Sequence, residues 1–395
     1  MGYASVVAKM KWGKLLIFSL IGIILGSFLI YSQSFLDNTD TDWNAGSYED
    51  MINAGSGADA NLTSSGRNTS GSYGSQIFDS QNTNSNWTNV SWSVAYPYGE
   101  EFNSGNNMSR ISLQGPDLFS GGLNLSGLEA YWTFNNNSNF GENNTYFYDL
   151  AGNHTGTCKN CPQLNQSGIL GGSVHFRNVS GIAINVSYQA DIGRVNTKGI
   201  SIWFKRTKIS TFERLLSLCE DNTGLCTNAY SVLITGVDGG FATTPVNSVS
   251  FAITSVTAGA TTAKYTASHT VNDTEWHHIV LNKGATNVTD IYYDGINQTL
   301  FWGAGASFST QQLLIGNRGN DMQRPFAGNI DEVSIWNRSL SIDEVRNIYM
   351  RGAARLNITA RICSDSACAN VVENTNISIN GTFGRKSFLN FTQKA

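Results

Sequence analysis

Charge is scarce in this chain of 395 residues: Asp, Glu, Lys and Arg together make up 14% of it. The formal net charge is −4 and the basic residues are scattered, so no electrostatic footprint for nucleic acid exists and no DNA or RNA partner is expected. Proline is scarcer still, at five residues. Past the N-terminal region only Ser341 to Tyr349 reads as a helix, which argues against a helical cytosolic enzyme. There is no Gly-x-Ser-x-Gly elbow, no phosphate-binding glycine loop and no nucleophile set for a hydrolase. What is plentiful is glycine, at 40 residues, with abundant Ser, Thr and Asn. That composition predicts an all-β chain of many short strands joined by turns.

The strand signal is densest from Trp276 to Tyr349. Trp276-His277-His278-Ile279-Val280-Leu281, Ile291-Tyr292-Tyr293-Asp294-Gly295 and Gly328-Asn329-Ile330-Asp331-Glu332-Val333-Ser334-Ile335-Trp336 alternate side chains at period two, with glycine or asparagine at the breaks. Earlier runs, Leu128 to Phe134, Gly172 to Phe176, Gly199 to Lys205, Tyr230 to Ile234, Val249 to Ile253 and Lys264 to His269, extend the set. So many strands imply two stacked antiparallel sheets with apolar faces inward. The helix carries a capping box, Ser341 with Glu344, and Gly352 lies just past its expected end. It should lid one edge of the sandwich.

The order WHHIVL, YYDG, LLIGNRG and PFAGNIDEVSIWNRSLSIDEV, preceded by YWTFN and DLAGNHTGT, resembles the LamG-like jelly-roll domains of the concanavalin A-like lectin/glucanase superfamily. The resemblance covers residues 125–352. It implies a two-sheet jelly roll, recognition of glycans or surface proteins, and in many relatives a bound calcium ion. Glycoside hydrolases of this fold carry a Glu-x-Asp-x-Glu strand, with acid and nucleophile on one face, and that run is absent here. Asp331-Glu332 is the nearest substitute. Adjacent strand residues point to opposite faces, so the two cannot flank one glycosidic bond unless a bulge intervenes. The same geometry separates His277 from His278 as metal ligands. No enzyme is expected.

The remaining segments divide by composition. Residues 1–14 form a short basic stub with Lys9, Lys11 and Lys14, and 15–34 an apolar run long enough to span a membrane, with the stub inside and the bulk outside. A cleaved signal peptide is the rival reading of that run. Residues 35–71 read as a flexible polar stalk. Residues 72–115 and 353–395 each offer only a few strands, too few to fold alone, and are expected to complete one small β-sandwich into which the lectin-like domain is inserted.

Six cysteines fall into close pairs, Cys158 with Cys161, Cys219 with Cys226 and Cys363 with Cys368, as expected of disulfides in an oxidising compartment. A zinc site from His154, Cys158, Cys161 and His175 is the competing reading. Among 43 asparagines, 20 head an Asn-x-Ser/Thr sequon: Asn61, Asn68, Asn86, Asn89, Asn107, Asn124, Asn136, Asn143, Asn153, Asn165, Asn178, Asn185, Asn272, Asn287, Asn297, Asn337, Asn357, Asn376, Asn380 and Asn390. Composition alone would give about eight, so an exported glycoprotein is expected. Calcium would find oxygen donors at Asp149 with Asn153, and at Asn317, Asn320 and Asp321. Phe301 and Trp302, beside a glycine-rich loop, are the expected sugar-stacking aromatics. The leading function is adhesion at the cell surface through a glycan or a surface protein. A structural envelope glycoprotein without a discrete ligand comes second, and a polysaccharide hydrolase last.

Overall fold

The computed structural model describes residues 123–186, 192, 198–209, 211–218, 230–236, 245–253, 263–284, 288–298, 300–304, 313–317, 324–365, 367 and 369–379, with residues 387–390 and short pieces before residue 103. Two compact units emerge, Glu101–Tyr349 and a second made of Met1–Glu100 with Met350–Ala395.

In the larger unit the strands run in order β1 (Leu128–Trp132), β2 (Tyr146–Phe147), β3 (Gly156–Thr157), β4 (Gln163–Ser167), β5 (Gly172–Arg177), β6 (Ile184–Val186), β7 (Lys198–Arg206) and β8 (Glu213–Leu218). There follow β9 (Tyr230–Ile234), β10 (Ser248–Ile253), β11 (Ala263–Thr270), β12 (Trp276–Lys283), β13 (Val288–Tyr293), β14 (Ile296–Asn297), β15 (Leu300–Ala304), β16 (Leu313–Ile315) and β17 (Ala327–Trp336). Helix α1 (Ile342–Ala353) closes the series. The eight-stranded sheet has the order β4-β5-β17-β7-β12-β13-β14, with β1 also pairing β17. A nine-stranded sheet has the order β15-β11-β10-β9-β8-β16-β6-β3-β2. Two antiparallel sheets with one short helix make a jelly-roll sandwich.

Alternation explains why the chain folds this way. Ile200, Ile202 and Phe204 of β7, Ile279 and Leu281 of β12 and Ile330, Val333 and Ile335 of β17 join one core between the sheets. The intervening residues face the other side, where a second cluster forms from Leu128, Tyr131, Val280, Tyr292 and Trp336 under Val345 and Ile348 of α1. Both faces of the central strands are therefore covered. Phe102 belongs to this outer cluster, its ring centroid 4.4 Å from that of Tyr131 and 6.0 Å from that of Trp336. The unit thus begins at Glu101 rather than at the expected residue 125, because an aromatic from the supposed flank is needed to complete its outer core.

Asp294-Gly295 turns β13 into β14 with both residues at positive φ, 49° and 76°, the two-residue hairpin that Asp-Gly favours. Helix α1 starts as its capping box requires: Ser341 N–H donates to Glu344 Oε2 at 2.8 Å and Glu344 N–H to Ser341 Oγ at 3.3 Å. Its end differs from expectation. The helix runs through Gly352 to Ala353 instead of stopping at Tyr349.

In the smaller unit, Asn89–Trp92 pairs antiparallel with Ser387–Asn390, and Ala354–Cys363 with Val371–Ile379. Within the stretch read as a stalk, Met51–Asn53 pairs antiparallel with Ala60–Leu62. Residues 15–34 lie outside the described residues, and among the described ones no helix is long and apolar enough to cross a membrane.

Candidate functional site

The acids that the sequence offered for chemistry gather around β17. Ile330 and Val333, three residues apart, both face the inter-sheet core. Opposite them the register of β7 shifts between Ser201 and Trp203, and Glu332 takes φ 51°. This is a β-bulge, the one circumstance that releases Asp331 and Glu332 from strict alternation. Both carboxylates leave the strand between two core-facing residues, on the side away from the inter-sheet core.

Neither is offered to solvent, their residues being 0% and 4% exposed. Asp331 Oδ2 accepts from Ile169 N at 2.8 Å and Leu170 N at 3.2 Å, and its Oδ1 from Glu332 N at 2.9 Å. Gly168 lets the loop come this near, since a Cβ there would collide with the carboxylate. Glu332 Oε2 accepts from the Tyr131 hydroxyl, which itself accepts from Phe102 N at 3.3 Å. Glu101, just before Phe102, takes the amide of Asn135, whose Oδ1 holds Gly172 N at 2.5 Å.

Burial dominates the electrostatics of this cluster. It pushes the Asp331 carboxyl well above its ordinary range, against the pull of its backbone N–H donors. Burial, with Glu332 and Glu101 alongside, raises the Tyr131 hydroxyl well above 10. Glu101 is raised too, by burial first and by Glu142, against its bond from Asn135. These groups fasten the bulged strand to its neighbours.

Residues 182–346 match the family model of the concanavalin A-like lectin/glucanases superfamily. The larger unit is therefore a lectin/glucanase-type sandwich, as its two sheets already indicate. A search of curated proteins gave no match. Among solved structures, similarity extends to domain 4 of AbnA, a GH43 extracellular arabinanase from Geobacillus stearothermophilus, in complex with arabinotriose. There the identity is 18% and the TM-score 0.39, covering 56% of this chain and 98% of that one. The sialidase of Trypanosoma rangeli is similar at 12% identity and TM-score 0.38, over 57% of this chain and 33% of its own. A third is the receptor-binding domain of botulinum neurotoxin type G, at 15% identity and TM-score 0.39, over 57% of this chain and 54% of that one. This chain thus spans nearly all of the arabinanase domain but only a third of the sialidase and about half of the neurotoxin domain.

The expected calcium donors of the lectin/glucanase-type sandwich are otherwise engaged. Asp149 Oδ1 accepts from Tyr131 N at 2.8 Å and Ala151 N at 2.9 Å, and Oδ2 from His154 N at 3.0 Å, with His154 Nδ1 at 2.9 Å. Asn317 Oδ1 accepts from Arg324 N at 3.2 Å while its Nδ2 donates to Ile182 O. Asp149 and Asn317 fasten their loops through these bonds, and Asn153 is exposed. Asn320 and Asp321 lie outside the described residues. Among the described residues no group of three or more His, Cys, Asp or Glu side chains is arranged to hold a metal.

The residues of the zinc alternative are taken up in other bonds. Cys158 and Cys161 are joined in a disulfide, His154 is engaged by Asp149, and His175 Nδ1 lies 2.9 Å from Asn329 Oδ1. Cys363 is disulfide-bonded as well, whereas Cys219, Cys226 and Cys368 lie outside the described residues.

His277 and His278 separate as alternation requires. His277, beside Phe204 and Tyr293 of the inter-sheet core, lies between Asp294 Oδ2 at 2.9 Å and Asp273 Oδ1 at 2.6 Å. His278 lies on the other face, stacked on Trp203 at 4.8 Å, with Nε2 2.8 Å from Ser201 Oγ. Phe301 and Trp302 fall on β15, the edge strand of the nine-stranded sheet, and their side chains lie outside the described residues. The register sets Trp302 opposite Tyr265, itself opposite Phe251, and Phe301 opposite Thr266, itself opposite Ser250. The two aromatics therefore stand on rows of opposite parity.

Sequence reasoning missed the buried pair of Arg206 with Glu213, both side chains at 0% exposure. Arg206 Nε donates to Glu213 at 3.1 Å, and the guanidinium also reaches Asn247 Oδ1 at 2.9 Å and Val271 O at 3.1 Å. Burial pushes Glu213 up to about 7 against the pull of Arg206. The pair is a clasp across the β7–β8 turn, and only its spacing of seven residues around that turn hinted at it.

Proposed function

We propose that this chain is a non-catalytic recognition protein whose lectin/glucanase-type sandwich binds a glycan, or a glycan-bearing surface protein, outside the cell. The observation that carries this reading is the state of its acids. Asp149, Asp331 and Glu332 are buried and accept N–H or O–H donors of their own fold, whereas glycoside hydrolysis needs two carboxyls flanking a bound sugar. A lectin/glucanase-type sandwich whose acids at the bulged strand are buried and bonded to their own fold favours binding over cleavage. The binding face is assigned to the β15 edge and its neighbouring loops, where Phe301 and Trp302 stand. The chain is carried outward by the apolar run 15–34, and the Cys158–Cys161 disulfide suits an oxidising exterior.

The test is a glycan array probed with the full-length protein in detergent, with and without EDTA. Retention of one glycan class supports the reading, and loss of that retention with EDTA would add a structural calcium to it. Absence of binding under both conditions would overturn it in favour of an envelope component without a ligand.

A further inference from the structure

The sequons are sorted by burial. Ten sequon asparagines have described side chains, at positions 124, 136, 143, 153, 165, 178, 185, 272, 297 and 337, and none is buried. Among the described residues the buried asparagines of the sandwich, Asn247, Asn282, Asn317 and Asn347, all lack a Ser or Thr two residues on. Each of those four sits in the fold's interior, as with Asn282, whose amide brackets Leu340 through its carbonyl at 2.7 Å and its N–H at 2.9 Å. An Asn-rich composition alone would place sequons without regard to burial. Among the described residues the triplet falls only on asparagines that are exposed or half-buried.

At two of them the residue two positions on turns back to the amide oxygen, with its hydroxyl at Asn143 and with its backbone N–H at both. Asn143 is exposed, and its Oδ1 accepts both the backbone N–H of Thr145 at 2.9 Å and the Thr145 hydroxyl at 3.0 Å. Asn124 is exposed, with Oδ1 accepting from Ser126 N at 2.9 Å. A hydroxyl donating to the amide oxygen draws electron density from the amide nitrogen and makes its proton easier to lose.

We propose that the exposed sequons of the sandwich, Asn143 and Asn124 foremost, are acceptor sites for N-linked glycosylation. The donor is an oligosaccharide on an isoprenyl pyrophosphate. Nδ2 loses one proton to a base of the transferring enzyme and forms a bond to C1 of the sugar, the C1–O bond breaks, and the lipid pyrophosphate leaves with the electron pair. The distribution also leaves part of the molecule bare. From residue 186 to residue 271 no sequon occurs, and this run supplies β8 to β11, four neighbouring strands of the nine-stranded sheet. The glycans thereby flank, and do not cover, the half-sheet that ends at β15.

The experiment incubates purified full-length protein, in detergent, with a single-subunit oligosaccharyltransferase and its lipid-linked donor, and maps occupied asparagines by mass spectrometry of proteolytic peptides. A synthetic peptide spanning residues 140–148 serves as the positive control. The expected result is a glycan on Asn143 and on Asn124 of the folded protein, lost at Asn143 alone in Thr145→Ala and unchanged in Asn144→Gln. Modification of the peptide but of neither asparagine in the folded chain would overturn the proposal. So would occupancy at Asn143 that survives Thr145→Ala.

Discussion

His277 and His278 are neighbours in sequence with opposite responses to protons. Burial pulls His277 down, but the hydrogen bonds and charges of Asp294 and Asp273 outweigh it, so its pKa lies above the ordinary 6.5. Its contribution to stability is fully present below 6.5 and is lost as pH rises through the raised value. His278 is fully buried among Trp203, Ser201 and Tyr349, and burial, only partly offset by Asp294, depresses it to about 3. The folded state keeps it neutral, so stability is lost as pH falls from 6.5 toward 3. An NMR titration should place the two imidazoles on opposite sides of 6.5, and His278→Gln should flatten the acid limb of a urea-midpoint profile. Two ordinary titrations near 6.5 would contradict this account. At Tyr131 the hydroxyl bridges Phe102 N and Glu332, so Tyr131→Phe strands buried polar groups. A loss of about 1–3 kcal/mol in urea unfolding is expected.

At the scale of elements, β17 and α1 are the two that sequence reasoning read best and still read incompletely. The helix was legible because Ser341 and Glu344 have the spacing of a capping box. Its true anchoring was not, because Glu344 also receives Arg338 at 2.6 and 2.9 Å and Asn124 N at 3.1 Å, the last from the far end of the unit. These bonds and the Arg338 charge hold the Glu344 carboxyl below its usual range, although burial works the other way. Ser341→Ala should therefore cost about 1 kcal/mol, an ordinary cap loss, and Glu344→Ala clearly more. Equal costs in chemical denaturation would show that Arg338 and Asn124 add nothing. In β17 the bulge was written in the sequence: apolar residues at Ile330, Val333 and Ile335 are spaced three and then two. Strict alternation put Asp331 and Glu332 on opposite faces, and the extra residue is what freed them.

For the whole molecule, period-two patterning sufficed for the two sheets and for the strands from β7 to β13, since each central strand repeats apolar residues toward one core. It did not reach contacts whose partners are distant in sequence, such as Phe102 against Trp336 or Arg206 against Val271. Nor could it show which loop acids were engaged, because a backbone N–H donor leaves no mark in the residue alphabet. Asp149 reads in the sequence as a calcium donor, and its role as fastener of the 149–154 loop left no mark there. The sandwich emerges as a scaffold with Asp149, Asp331 and Glu332 turned to structural use, its described sequon asparagines unburied and a sequon-free half-sheet ending at β15.

The central claim is recognition without cleavage. Its most direct test is to take the glycan best retained by the full-length protein and follow binding and release of new reducing ends together, in wild type, Phe301→Ala, Trp302→Ala and Glu332→Gln. The account predicts binding without reducing ends in the wild type, binding kept in Glu332→Gln, and weakened retention in at least one aromatic variant. Reducing ends that accumulate with the wild type and vanish in Glu332→Gln would contradict it.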